Sequence, residues 1–95
     1  MVLEIAEFII RTGEEDDFAA AYLGAAHLLR DTPGCRSLRM TRGIESPSRF
    51  VLLVEWECLT DHTEGFRASE AFHAWRDAVG RFFAELPRVE HTVDI

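Results

Sequence analysis

The sequence is poor in cysteine, in positive charge and in long apolar runs. Two cysteines, Cys35 and Cys58, are too few for a disulfide framework or a zinc site. The 10 basic residues against 17 acidic residues give a net charge of −7, which disfavours binding to nucleic-acid phosphates or anionic lipid. No apolar run approaches the roughly 18 residues of a membrane helix, and no basic segment typical of a signal peptide opens the chain. We therefore expect a cytoplasmic protein that binds neither nucleic acid nor membranes.

The usual signatures of a metal or nucleotide site are also missing. The 4 histidines are scattered, without the His, Asp and Glu spacings typical of metal ligands. No glycine-rich loop offers a seat for the phosphates of a nucleotide or flavin. The acidic run at 14–17 is interpreted as the start of a helix, because its carboxylates would diverge around the turn. The sequence therefore predicts neither a metal ion nor a cofactor.

The 95 residues, of which 47% are hydrophobic, are enough for one globular domain. Apolar residues recur at strand spacing in four segments and at helix spacing between them. The predicted strands cover 2–10, 35–43, 49–57 and 88–95, and the predicted helices begin near 14, 61 and 69. This β-α-β-β-α-β order is the ferredoxin-like α+β arrangement, a four-stranded antiparallel sheet with helices on one face.

Two of the predicted strands have apolar residues on both faces. The segment 50–54 is apolar without interruption, and apolar residues occupy both phases of the strand at 2–10. The helices can cover only one face of the sheet. A second copy of the same sheet is the simplest cover for the other face, so the pattern predicts a homodimer.

The second and third strands form a predicted hairpin around Ser46. If Gly43 pairs with Phe50, the same register places Cys35 opposite Cys58, with their Cβ atoms about 4.5–5.5 Å apart. A shift of one residue would send the two side chains to opposite faces. Because the cytoplasm is reducing, the two are expected to be neighbouring thiols rather than a disulfide.

The stretch RFVLLVEWECLTDHTEGFRASEAFHAW at 49–75 resembles the antibiotic biosynthesis monooxygenase domain. The similarity consists of Glu55 and Trp56 at the end of an apolar strand, a helix with His62, the stretch 66–72 and Trp75. The stretch TPGCRSLRMTRG before and along the second strand is similar to the family as well. This resemblance implies a dimeric α+β barrel. Its relatives include cofactor-free oxygenases of aromatic polyketides and quinols, haem-degrading enzymes and many proteins of unknown activity.

The haem-degrading branch of these relatives uses an Asn, a Trp and a His at three positions. By spacing, these positions correspond to Phe8, Phe66 and Arg76, so none of the three residue types is kept. An arginine stays protonated and cannot ligate iron. Haem degradation is therefore not expected.

His62 is the predicted catalytic residue. It shares a helix face with Leu59 and Phe66, so it should point inward. There it would act as a base, or as a hydrogen-bond donor to a bound phenol or quinone. The ordinary alternative is a buried histidine that is satisfied by a backbone carbonyl.

An aromatic set facing the sheet is predicted to shape a flat cavity for a ring system. His91 lies in phase with apolar neighbours on the last strand, and an arginine on the second helix is a candidate oxyanion donor. The predicted substrate-binding residues are Phe8, Tyr22, Phe66, Phe72, Trp75, Arg76 and His91.

The expected function is cofactor-independent oxygenation of a small aromatic substrate by O2. A phenol or anthrone would lose a proton to a histidine in a closed apolar pocket, and its anion would reduce O2 directly. Two alternatives remain open on the same scaffold. One is a non-catalytic dimer that binds a small aromatic ligand, and the other is an isomerase or cyclase.

Overall fold

The computed structural model describes all residues from Met1 to Ile95 and confirms the β-α-β-β-α-β order. The second helical region is divided into a π-helix, an α-helix and a short 3-10 turn. The elements are β1 (Val2–Ile9), α1 (Glu15–Arg30), β2 (Cys35–Arg42), β3 (Arg49–Trp56), a π-helix (Asp61–Phe66), α2 (Glu70–Val79), a 3-10 turn (Gly80–Phe82) and β4 (Arg88–Thr92). No helix in the structure combines the length and the apolar character needed to cross a membrane.

The four strands form one antiparallel sheet in the order β2-β3-β1-β4. The predicted ferredoxin-like α+β fold is therefore confirmed. Because β1 is a central strand, its residues from Leu3 to Glu7 each have a neighbour on β3 and on β4. Glu4, for example, lies between Val54 and His91, and this register is what assembles the site described below.

The hydrophobic core lies between the sheet and the helices. Alternate residues of β1 and β3 point into it, as the period of two in a strand requires. The buried apolar residues are Ala6, Phe8, Ile10, Phe18, Tyr22, Ala25, Ala26, Leu29, Phe50, Leu52, Val54, Trp56, Phe66, Trp75, Val79 and Phe82. At the start of α2, the Ser69 side chain accepts a hydrogen bond from the Phe72 N–H at 3.3 Å, which caps the helix at its predicted start near 69.

The predicted register of the β2–β3 hairpin is wrong by one residue. Gly43 N–H donates to the Arg49 carbonyl at 2.7 Å, and Arg42 pairs with Phe50. In the turn, the Ser46 carbonyl oxygen folds back over Gly43 and lies only 2.5 Å from the position that a Cβ would occupy. A side chain at this position would clash, so only glycine permits the approach.

The slipped register also separates the two cysteines. An irregularity between Cys35 and Ser37 brings Cys35 opposite Trp56, whereas Cys58 lies beyond the end of β3. Both thiols are free, and the Cys58 thiol donates to Asp61 Oδ2 at 3.2 Å. The expectation that the two cysteines face each other across the hairpin is therefore wrong, and its cause is the register.

The sheet face away from the helices is a partly exposed apolar surface. We call it the outer face; its apolar residues are Leu3, Ile5, Ile9, Val51 and Leu53. Glu7 and Arg49 form an ion pair on the same face. No element of the chain covers this surface. The homodimer remains a prediction, and the outer face is its predicted interface.

We expect Leu53→Asp to convert a wild-type dimer into a monomer, since an unpaired carboxylate in a sheet-to-sheet interface would be desolvated. Leu23→Asp is the matched control, because Leu23 is 75% exposed on α1 and its replacement should leave the dimer intact. Light scattering at micromolar concentration measures the mass. A monomeric wild-type protein would contradict the prediction.

Candidate functional site

A cleft of about 1040 Å³ opens between the helix-facing side of β1 and α2. Its walls come from β1, the π-helix, α2 and the segment that leads into β4. Aromatic and apolar side chains line it together with a few ionisable groups, as in most small-molecule sites. The lining residues are Glu4, Phe8, His62, Arg67, Phe72, His73, Trp75, Arg76, Asp77, Gly80, Phe83, Glu85, Leu86, Pro87 and Val89.

A buried polar cluster adjoins this cleft. We call it the Glu4 cluster; it consists of Glu4 on β1, Trp56 on β3, His62 on the π-helix and His91 on β4. The Trp56 indole N–H donates to Glu4 Oε1 at 2.9 Å, and His62 Nε2 lies 3.4 Å from the same oxygen. His62 Nδ1 and His91 Nε2 share a hydrogen bond of 2.7 Å. Four separate elements therefore meet at one carboxylate and two imidazoles.

Aromatic rings fix the plane of the His62 imidazole. Trp56 stacks on it at a centroid distance of 5.3 Å and an interplanar angle of 14°, and Phe66 lies at 6.3 Å and 25°. The wide turn of the π-helix supports this placement, since the Arg67 N–H bonds to the His62 carbonyl five residues back. Such turns are frequent at functional sites.

Burial shifts the ionisable groups of the cluster in opposite directions. Desolvation, helped by the positive charge of Arg67 and by His91, lowers the pKa of His62 to about 4. Desolvation and Arg67 also lower the pKa of His91. For Glu4, burial raises the pKa and outweighs the hydrogen bond from Trp56 and the charge of Arg67, which lower it. At neutral pH both imidazoles are therefore uncharged, and the carboxyl group is a stronger base than an exposed glutamate.

The structure brings five of the predicted site residues to the wall of the cleft: Phe8, His62, Phe72, Trp75 and Arg76. On α2, the Arg76 guanidinium lies over the Phe72 ring, 5.8 Å from its centroid. Trp75 is 6% exposed, so it forms a rigid part of the wall.

The other three predicted residues lie behind the lining rather than in it. Tyr22 meets Trp75 edge-on at 6.0 Å, and Phe66 meets Phe72 edge-on at 5.5 Å. His91 contacts His62 instead of the cleft. These residues support the lining residues from behind, and their direct contact with a ligand stays a prediction.

Glu4 is the residue that the sequence interpretation missed. It is only 4% exposed, and its signal was its phase, because it alternates in step with Ala6 and Phe8 on the buried face of β1. The Trp56 indole N–H holds its carboxylate in place. No group of three or more His, Cys, Asp or Glu side chains is arranged to hold a metal ion.

The fold and the cleft agree with the sequence relationships of the chain. The family model "Antibiotic biosynthesis monooxygenase" matches residues 1–78. The chain belongs to this family. The match ends before β4, so the strand that contributes His91 lies outside the matched part.

Individual relatives match along the whole chain. An uncharacterized protein of Bacillus subtilis, YczJ, is 38% identical over 95 residues, which is 100% of both chains. A crystal structure from Bordetella bronchiseptica, named after the same family, is 38% identical, covers 99% of this chain and 96% of its own, and superposes with a TM-score of 0.95. A Nitrosomonas europaea structure with 20% identity and a TM-score of 0.86, covering 100% and 99% of the two chains, shares the fold.

We expect the stability of the protein to fall as the pH is lowered from 7 to 5, because the folded-state pKa of His62 is about 4 and the unfolded value is about 6.5. In this window the unfolded chain binds a proton that the folded chain excludes. The loss at pH 5 is about 2 kcal/mol. Glu4 acts in the opposite direction, since acid relieves the cost of its buried charge.

Urea unfolding of the wild type and of His62→Gln at pH 7 and pH 5 isolates the His62 contribution. The wild type should lose about 2 kcal/mol more than the variant over this interval. Equal losses in both proteins would show that His62 titrates normally in the folded state.

Proposed function

We propose that the protein is a cofactor-independent monooxygenase that oxidises a phenol-, quinol- or polyketide-like aromatic molecule with O2, as a cytoplasmic homodimer. The observation on which this rests is the Glu4 cluster, a buried set of proton-accepting groups that opens into an aromatic-walled cleft. Membership of the antibiotic biosynthesis monooxygenase family supports the proposal.

The shape and lining of the cleft suit a flat, polycyclic ligand. Its volume of about 1040 Å³ lies just above the range of roughly 300–1,000 Å³ that is typical of small-molecule sites. Phe8, Phe72 and Trp75 present aromatic surfaces to it, against which a ring system can stack. Arg67 and Arg76 supply positive charge on the same wall, where an oxyanion would be stabilised.

The reaction needs a base more than it needs a cofactor. For an anthrone-like substrate, removal of one proton from the reactive CH2 group gives a resonance-stabilised carbanion. This carbanion transfers one electron to O2, and the resulting radical pair combines to a hydroperoxide after the proton returns from the base. Loss of water then leaves a carbonyl, so one oxygen atom enters the product and the other leaves as water.

The protein provides the proton transfer and the enclosure of this sequence. The Glu4 cluster can take the proton on its carboxylate, because burial raises the pKa of Glu4 above its usual value. The aromatic walls limit the access of water to a reactive anion. His62 is the imidazole of the cluster that lines the cleft, which keeps it as a candidate for the base or for the group that orients it.

We expect His62→Ala to leave the fold intact and to lower the rate of O2 consumption by roughly 10²-fold or more, the scale for losing a group engaged in general-base catalysis. The assay is an oxygen electrode with anthrone and quinol substrates and no added cofactor. His27→Ala is the matched control, because His27 is exposed on α1 and its removal should not change the rate.

Equal rates in the wild type and in His62→Ala would return His62 to a packing role. The same cluster could also serve an isomerase or cyclase, since it moves protons without requiring O2. Substrate conversion under argon at an undiminished rate would favour that second function. Binding without any conversion would leave a ligand-binding dimer.

A further inference from the structure

We infer that Glu4, not His62, is the group that meets the ligand, and that the cleft takes aromatic molecules whose ionisable hydroxyl donates a hydrogen bond to Glu4 Oε2. The inference rests on the proposed function for the aromatic class of the ligand. The contact itself is derived from the two oxygens of the Glu4 carboxylate, which have different environments.

Only one oxygen of this carboxylate is satisfied by the protein. Oε1 accepts the Trp56 indole N–H at 2.9 Å and faces His62. Oε2 accepts no hydrogen bond from any protein group. The structure contains no fully buried side-chain nitrogen or oxygen without a partner, so Oε2 must retain some accessible surface. Because Glu4 lines the cleft, this surface opens into the cleft.

A carboxylate in this position has an unusual need for a donor. The Glu4 side chain is 5% exposed, so bulk water reaches it only through the cleft. An acceptor that is nearly buried and half satisfied gains more from a new hydrogen bond than one on the surface. A hydroxyl on a bound ring can supply that bond.

His62 is poorly placed to receive a ligand hydroxyl itself. Its Nδ1 is engaged with His91 at 2.7 Å, and its Nε2 lies 3.4 Å from Glu4 Oε1. A hydroxyl that approaches Nε2 therefore meets the carboxylate at the same place. The imidazole is also a weak base at neutral pH, since its pKa is lowered to about 4. His62 then acts as a positioning residue that packs beside Glu4.

The charges around Glu4 determine when it can accept a proton. It faces His62 from the π-helix and His91 from β4, both neutral at pH 7, and the positive Arg67 that follows the π-helix. On the β2 side, the charge of the same carboxylate helps to raise the pKa of the Cys35 thiol. One proton moves from the ligand hydroxyl to the Glu4 carboxylate. The ligand O–H bond breaks, the Glu4 Oε2–H bond forms, and the negative charge moves onto the ligand near Arg67.

Anaerobic binding of 2-naphthol and of its methyl ether, 2-methoxynaphthalene, tests the contact without any oxidation. Both have the same ring system, but only the naphthol donates a hydrogen bond. Quenching of tryptophan fluorescence should show that the wild type binds the naphthol about 10-fold or more tightly, the scale of a hydrogen bond to a charged acceptor. Equal affinities, or failure of both probes to bind at millimolar concentration, would overturn the inference.

Glu4→Gln should abolish this preference. The Trp56 N–H holds the oxygen of the new amide, which turns the NH2 group toward the cleft and replaces an acceptor with a donor. Glu7→Gln is the matched control, because Glu7 lies on the same strand but on the outer face, and it should bind as the wild type does. A Glu4→Gln protein that keeps the preference, together with loss of the preference in His62→Gln, would assign the hydroxyl to His62 instead.

The pH dependence of the preference provides a second readout that a purely structural role of Glu4 would not change. Protonation of Glu4 should weaken the preference at low pH. Trp56→Phe removes the hydrogen bond that favours the charged carboxylate, so the midpoint of this loss should move to higher pH. An unmoved midpoint would contradict the role of Glu4.

If the naphthol preference holds but no aromatic supports O2 consumption, the oxygenase proposal fails and the Glu4 contact stands.

Discussion

The carboxylate of Glu4, buried on the central strand of the sheet, is the constraint to which the site conforms. An isolated carboxylate in an apolar core is costly, and it persists only with hydrogen bonds or compensating charge. Here the Trp56 indole supplies the hydrogen bond, and Arg67 supplies positive charge. Each compensating group belongs to a different segment, so the position of Glu4 in the sheet determines where β3, the π-helix and β4 must place their polar side chains.

The hydrogen bond and the nearby positive charge do not fully offset the burial of Glu4, and its basicity is raised as a result. Burial pushes the pKa of Glu4 upward and that of His62 downward to about 4. These shifts make Glu4 a stronger base and His62 a weaker base than the same groups in water, so the two can take different roles in one reaction. The neutral His62 forms part of the polar wall with His91 behind it, and Glu4 contributes the carboxylate of the cluster.

The fold was largely predictable from the sequence because it depends on periodicity. The alternation in β1 and β3 and the cap at Ser69 each follow from local pattern, and each is present. The hairpin register was not predictable in this way, since it depends on how the 44–48 turn closes over Gly43. A slip of one residue moves every β2 side chain to the opposite face, but β2 is an edge strand with no fully buried residue, so its apolar pattern constrains the register only weakly.

The site was harder to predict because its members meet only through tertiary structure. His62 and His91 are 29 residues apart, and nothing local in the sequence pairs them. Glu4 had a usable signal in its phase with Ala6 and Phe8, but an acidic residue in an apolar strand is normally assigned to solvent. Glu4 is buried, and its pKa is shifted, only because α2 and the π-helix pack over this face of the sheet.

The same distinction explains why the family relationship says more about the scaffold than about the reaction. The Nitrosomonas europaea structure, at 20% identity, keeps the fold with a TM-score of 0.86, and a fold of this kind supports many activities. In this chain the titratable groups of the Glu4 cluster are divided between the matched residues 1–78 and β4 beyond them. His91 also joins the core of the site to the edge of the sheet. A change in β4 can therefore alter the cluster while the ferredoxin-like frame stays the same, which gives one scaffold a direct way to vary its chemistry.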